Sequence, residues 1–515
     1  MRTKRNIAPV IVVGTNLILG IAGSALAQES PDAFQDAFGP RFQPAPQISE
    51  APRRHESPRG VDAAGRLAHW NEVAINASGL DHTPVETGDP RVFGEQFGPT
   101  RASRAMAIVH IAVFDAVNAI DGRYDSYTGI TSPRGRVSMD AAIAQAAHDT
   151  LAALFPSQAA SFDDELTDDL AEIPGSRAKE NGIKLGHRAA AAIFAMREGD
   201  GSDVPNPHVG VDFFTSDKPG KWRVDPVSLN TLALGADWGA VRPFVLRSGD
   251  QFRVPTPPAL ASAKYTTAFN EVKALGGDGV VTPTRRTEDQ TEAGIYWAYD
   301  GTPSLCAPPR LYNQITMRIA DQMGTGSDPV ELARLLALVN TAMADAGIAI
   351  WESKYFYQYW RPVTGIRESD PGTGPTGRGD GNPRTAGDPA FMPLGAPASN
   401  LAGPNFTPPF PAYPSGHAGF GGALFETLRQ FYRTDRIAFT FVSDEFNGTT
   451  VDNQGNVRPL LPRHFTSFSQ AEEENGQSRI YLGIHWSFDK TEGIAQGRRV
   501  ADYVFTHAFT PRPAK

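Results

Sequence analysis

Cysteine is nearly absent: Cys306 is the only one in 515 residues. An intramolecular disulfide is therefore excluded, as is any thiolate metal cage, and stability must come from the core. A basic excess is missing too, since 48 Lys and Arg face 57 Asp and Glu for a formal charge of −9. Arg2, Lys4 and Arg5 stand without an acid in the first 27 residues, so the remainder carries −12. That balance argues against a nucleic-acid partner, and any anion site must make its own positive potential locally. Beyond the N-terminus no run approaches the ~18 consecutive apolar residues of a membrane span. Neither a fixed-period repeat nor a convincing alternating strand run is visible.

What is present is ordinary globular composition, 40% hydrophobic and 20% charged, with helical periodicity. Residues 1–27 read as a signal peptide. Basic residues precede an apolar stretch from Ile11 to Ala22, and Ala25-Leu26-Ala27 supplies the cleavage site, so the mature protein is expected in the periplasm or outside the cell. Residues 28–64, rich in Pro, Ser, Arg and Gln, read as a flexible leader. Amphipathic patterns then predict a mainly α protein of two helical bundles with long irregular loops. Residues 65–254 would form an N-terminal bundle and an irregular connection, and 255–515 a C-terminal bundle.

Three short basic segments in the last third carry the chemistry. Lys354 and Arg361-Pro362 come first; seven residues apart on one helix, the two cations would share a face at roughly 10 Å separation, with Pro362 ending that helix. Pro414-Ser415-Gly416-His417 comes next, a loop entering a helix whose free N–H groups can cradle an anion. Ser478-Arg479 is followed by His485 and Asp489. Gly483 would end one helix, Asp489-Lys490-Thr491-Glu492 would cap the next, and His485 would sit in the junction. Asp489 is then either only a cap or also a partner that orients His485. Together these groups suit a tetrahedral oxyanion. The other histidines lack metal-ligand spacing.

These segments resemble the signature of the type 2 phosphatidic acid phosphatase/vanadium haloperoxidase superfamily at every fixed position. The 60 residues between His417 and Ser478 favour the haloperoxidase branch. Similarity to vanadium chloroperoxidases of the fungal type appears in the stretches from Tyr296 to Gly301, Pro309 to Gln314 and Phe410 to Tyr413, and covers roughly residues 290 to 495. The resemblance implies vanadate as cofactor, in a site phosphate can also occupy, held by Lys354, Arg361, Ser415, Gly416 and Arg479. His485 would be the axial ligand to vanadium and His417 the acid–base group. Lys354 would also polarise peroxide, and Asp300 would pair with a site arginine. Trp351 and Phe410 match the halide pocket; algal-type bromoperoxidases carry histidine where Phe410 stands, which leans towards the chloroperoxidase form.

The implied partners are hydrogen peroxide, halide and a small organic acceptor, and the sequence leaves the oligomeric state open. An alternative uses the same residues as an acid phosphatase, with His485 forming a phosphohistidine and His417 protonating the leaving alcohol. Anion capture without turnover is disfavoured by His417, which such binding does not need.

Overall fold

A computed structural model describes residues 33–44, 62–86 and 88–513. The expected signal peptide and leader residues 28–32 and 45–61 lie outside the described residues. The first element is a short helix, α1 (Ala33–Phe38), followed by β1 (Gln43–Pro44). Phe38 and Phe42 are buried, so this part of the expected flexible leader is instead packed against the body. The next helix, α2 (Ala63–Asp81), starts two residues inside the expected leader because Asp62 accepts the Gly65 N–H.

With α2, the helices α3 (Gly98–Asp121), α4 (Met139–Leu154), α5 (Ala159–Ala171) and α6 (Arg177–Arg197) form the N-terminal bundle. Ser138 and Ser176 cap α4 and α6. A long irregular connection leads to α7 (Ala263–Leu275), α8 (Glu288–Tyr296), α9 (Pro308–Met323) and α10 (Pro329–Tyr357). Helix α10 is launched as its sequence predicts: Asp328 accepts the N–H groups of Val330 and Glu331, with Pro329 in the first turn. The remaining helices are α11 (Pro362–Arg367), α12 (Gly416–Tyr432), α13 (Phe468–Tyr481) and α14 (Ser487–His507).

Helix α10 is the centre of the molecule, packed on α3 from one bundle and on α12 and α14 from the other. One core runs through both, joining Met106 and Phe114 to Leu335 and Met343 and on to Phe420 and Phe425. The two bundles therefore share a core. Helices α3 and α10 are long and apolar enough to cross a membrane, yet 83% and 100% of their apolar windows are buried within the fold. Mid-helix Asp345 would be costly in that core if left unpaired. It accepts the N–H groups of Phe244, Val245 and Leu246 at 2.6, 2.8 and 2.9 Å, which pins the irregular connection to α10.

Strands do occur, against expectation. Besides β1 with β2 (Leu401–Ala402), an antiparallel pair joins β3 (Phe439–Asn447) to β4 (Leu460–Phe465). In β3 the inward positions Phe439, Phe441, Ser443 and Glu445 do alternate. Two of them are polar, which hides the pattern; Ser443 donates to the Tyr296 carbonyl, and Glu445 Oε2 accepts from Ser399 and Arg458. Helices α12 and α14 touch backbone to backbone, because a Cβ on Gly497 would collide with the Gly419 carbonyl. That close approach brings the N-termini of both helices to one place.

Candidate active site

All three basic segments meet there. Lys354 occupies the last turn of α10 and is fully buried, donating to the carbonyls of Pro411 and Ala412 at 2.8 and 3.0 Å. Arg361 does not share its helix, contrary to the sequence expectation. Gln358 adopts a left-handed conformation (φ 49°) that ends α10, and Pro362 starts α11 rather than terminating a helix. Arg361 still reaches the site from the loop. Its Nε donates to the Phe410 carbonyl at 2.9 Å, and its Nη1 to the Ile484 carbonyl at 2.9 Å and to His485 Nε2 at 2.8 Å.

Ser415, after a cis Tyr413–Pro414 bond, is the N-cap of α12 and ties the two helix starts together by donating its N–H to the Asp489 carbonyl at 3.0 Å. Gly416 faces Trp351. His417 follows in the first turn. Its carbonyl accepts bonds from Tyr312 Oη and Asn475 Nδ2, both 3.0 Å, and its Nε2 makes a short hydrogen bond to the Ala298 carbonyl.

Arg479, near the end of α13, gives Nη2 to both Asp300 oxygens at 2.7 Å, so the expected acid–arginine pair is present. Asp300 also lies 3.9 Å from His417 Nε2. Gly483 (φ 73°) turns the chain after α13, and His485 sits in the junction as predicted. Helix α14 begins at Ser487, two residues before the position expected from the capping sequence. Asp489 is consequently in its first turn, where Oδ2 accepts from His485 Nδ1 at 2.8 Å and from the Trp486 N–H at 3.0 Å. It both caps the helix and orients the histidine.

The site has more cation than it can use internally. Arg479 Nε and Nη1 are buried with no hydrogen-bond partner, and Lys354 has spent only two of its donors on carbonyls. Burial, then Arg361, holds Lys354 well below its ordinary range. Burial brings Arg361 down to about 9, with Arg479 adding to the fall and Asp489 opposing it. His485 is held well below its usual value by burial and then by Arg361, and His417 falls to about 3 through burial and then Arg479. Burial raises Asp489 to about 7. Dry, mutually repelling cations with unused donors constitute a receptor for an anion. Among the described residues no cluster of His, Cys, Asp and Glu forms a conventional metal cage.

Beside these groups lies a cavity of about 40 Å³, lined by His417, Arg479 and His485. Trp351 and Phe410 wall it with ring centroids 4.9 Å apart, and Lys354 Nζ lies 5.0 Å from the Phe410 ring. Trp351 is fixed by its Nε1 bond to the Leu234 carbonyl at 2.9 Å. Leu234 and Phe38 also line the cavity and went unnoticed in the sequence. A signal for Phe38 was available: Phe34, Phe38 and Phe42 recur every fourth residue.

A two-bundle helical fold with histidine, lysine and arginine donors buried at paired helix starts is the class of structure suited to an oxyanion. The chain belongs to the vanadium haloperoxidase family. It is 31% identical over 505 residues to the vanadium chloroperoxidase of Curvularia inaequalis, covering 82% of this chain and 78% of that one. Residues 334–512 match the second helical-bundle domain of that chloroperoxidase family. In fold the chain is similar to a bacterial vanadium-dependent iodoperoxidase (TM-score 0.67, 23% identity, 89% of this chain and 100% of that one). It is also similar to the holo form of a bacterial vanadium-dependent chloroperoxidase (TM-score 0.58, 16% identity, 82% and 95%).

Proposed function

We propose that the cavity around His485 holds vanadate and that the enzyme, after export, oxidises chloride as well as heavier halides with hydrogen peroxide to hypohalous acid. The observation that carries this is the pair of buried, unpartnered nitrogens of Arg479, a residue that lines the cavity together with Gly416, His417 and His485, with Lys354, Arg361 and Ser415 buried close by. Those donors fit a tetrahedral oxyanion, and His485 Nε2 would be the ligand atom for vanadium, since Nδ1 is held by Asp489 and the Arg361 donor now on Nε2 would turn to the oxyanion. When bound, vanadate supplies Lewis acidity that makes peroxide oxygen electrophilic.

The residues do the rest. His417 stays neutral; its hydrogen sits on Nε2 towards the Ala298 carbonyl, so Nδ1 is the atom that accepts a proton from hydrogen peroxide. Asp300 fixes Arg479 beside it. Lys354 polarises the peroxide with its remaining N–H. Trp351 and Phe410 give halide a dry, apolar seat next to a cation, and the loss of hydration there favours attack. The balance is one halide, one hydrogen peroxide and one proton giving hypohalous acid and water.

The chloride reading rests on Phe410 and export on residues 1–27. Comparing peroxide-dependent oxidation of chloride, bromide and iodide by the purified protein, with and without vanadate and beside hydrolysis of a phosphate monoester, tests the activity. Ester hydrolysis alone, without vanadate, would select the phosphohistidine route instead. The mass of protein recovered outside the cytoplasm tests the processing: a start at Gln28 is expected.

A further inference from the structure

Part of the cavity wall comes from a stretch of chain remote in sequence from the basic segments. Helix α1 and the residues to Pro44 form a strap, of which Ala37 and Phe38 are part of the cavity wall. Phe38 is only 4% exposed. Its ring meets Phe97 edge-on at 5.9 Å, while Phe42 meets Phe406 edge-on at 5.7 Å. Asn230 Nδ2 grips the Ala37 carbonyl at 2.7 Å, and β1 pairs with β2. The strap is thus seated by its aromatic residues and tied on both sides of Phe38. A cavity of about 40 Å³ has space for a few water-sized molecules, a water needing roughly 10–15 Å³.

We propose that Phe38 is a specificity-determining residue: its ring limits the cavity to hydrogen peroxide and halide and shuts out organic hydroperoxides. The proposal rests on the haloperoxidase reading above. With an alkyl hydroperoxide the balance would be halide, hydroperoxide and a proton giving hypohalous acid and the alcohol. Halide gives an electron pair to the terminal oxygen, the O–O bond breaks, and the alcohol leaves with the proton. The chemistry is the same, so only the wall discriminates. A single methylene of fit in an apolar pocket already changes such discrimination by roughly 10- to 200-fold.

The test compares kcat/KM for hydrogen peroxide and tert-butyl hydroperoxide, with bromide, in the vanadate-loaded full chain and in Phe38→Ala and Phe38→Leu. The ratio should shift towards the bulky oxidant by at least about 10-fold in Phe38→Ala and by less in Phe38→Leu. A second readout needs no turnover: calorimetric binding of inorganic phosphate and of phenylphosphonate to the vanadate-free proteins. Phe38→Ala should tighten phenylphosphonate relative to phosphate, again by about 10-fold, whereas a merely structural role would weaken both together. Unchanged ratios in both assays overturn the role of Phe38. Wild-type protein lacking any vanadate-dependent bromide oxidation would sink the haloperoxidase reading and this proposal with it.

Discussion

His485 Nδ1 and Asp489 Oδ2 lie 2.8 Å apart across the first turn of α14, and Arg361 Nη1 approaches the opposite ring nitrogen at 2.8 Å. A carboxylate can only accept and a guanidinium can only donate, so the two contacts fix the tautomer: hydrogen on Nδ1, lone pair on Nε2. The tautomer of the histidine proposed to bond vanadium is thus set by its protein neighbours.

Asp489→Asn keeps an acceptor for the helix cap but removes the charge behind the histidine. Vanadate affinity should fall by about 10- to 100-fold, the usual cost of losing such an outer partner. Calorimetric titration checks it, and wild-type affinity in that variant would refute the orienting role.

His417 touches the site through its ring but bonds no other proposed vanadate donor. His417→Ala should retain vanadate affinity within the error of titration while kcat drops by about 10²- to 10⁴-fold. Parallel loss of binding and turnover would make it a ligand instead.

Trp351 depends on a glycine. Gly235 has φ 75°, and a Cβ there would collide with the Trp351 indole. Gly235→Ala should therefore move one wall of the halide seat and add backbone strain of about 1–3 kcal/mol. The melting temperature should fall and KM for halide should rise more than KM for peroxide; equal change in both would show that Trp351 does not seat halide.

Away from the site, His110 in α3 is buried with Nε2 unpartnered, and burial lowers it to about 3. The unfolded chain takes up this proton near 6.5 and the folded chain does not until about 3. Its contribution is therefore present above about pH 6.5 and is lost as pH falls from there towards 3, on the order of a few kcal/mol in total. His110→Leu should lessen the decline of melting temperature with acid; identical pH profiles would contradict it.

Much of the site was legible because its chemistry needs fixed residue types at helix starts and turns. Asp328-Pro329, Ser415 and Gly483 mark their boundaries by local sterics and capping. A single helix from Lys354 to Arg361 is what the local sequence favours, since nothing local forces Gln358 into its left-handed conformation. The β3–β4 pair was hidden by inward Ser443 and Glu445, whose partners are distant in sequence. Composition made the strap look disordered, because its order comes from Phe93, Phe97 and Phe406.

The central claim is that one cationic cavity, closed by His485, binds vanadate and thereby oxidises halide. Titrating vanadate into metal-stripped wild-type and His485→Ala protein, while following peroxide-dependent bromide oxidation, tests it most directly. Activity should rise saturably with vanadate in the wild type and stay absent in the variant. Saturable activation of His485→Ala, or a wild type indifferent to vanadate, would contradict the account.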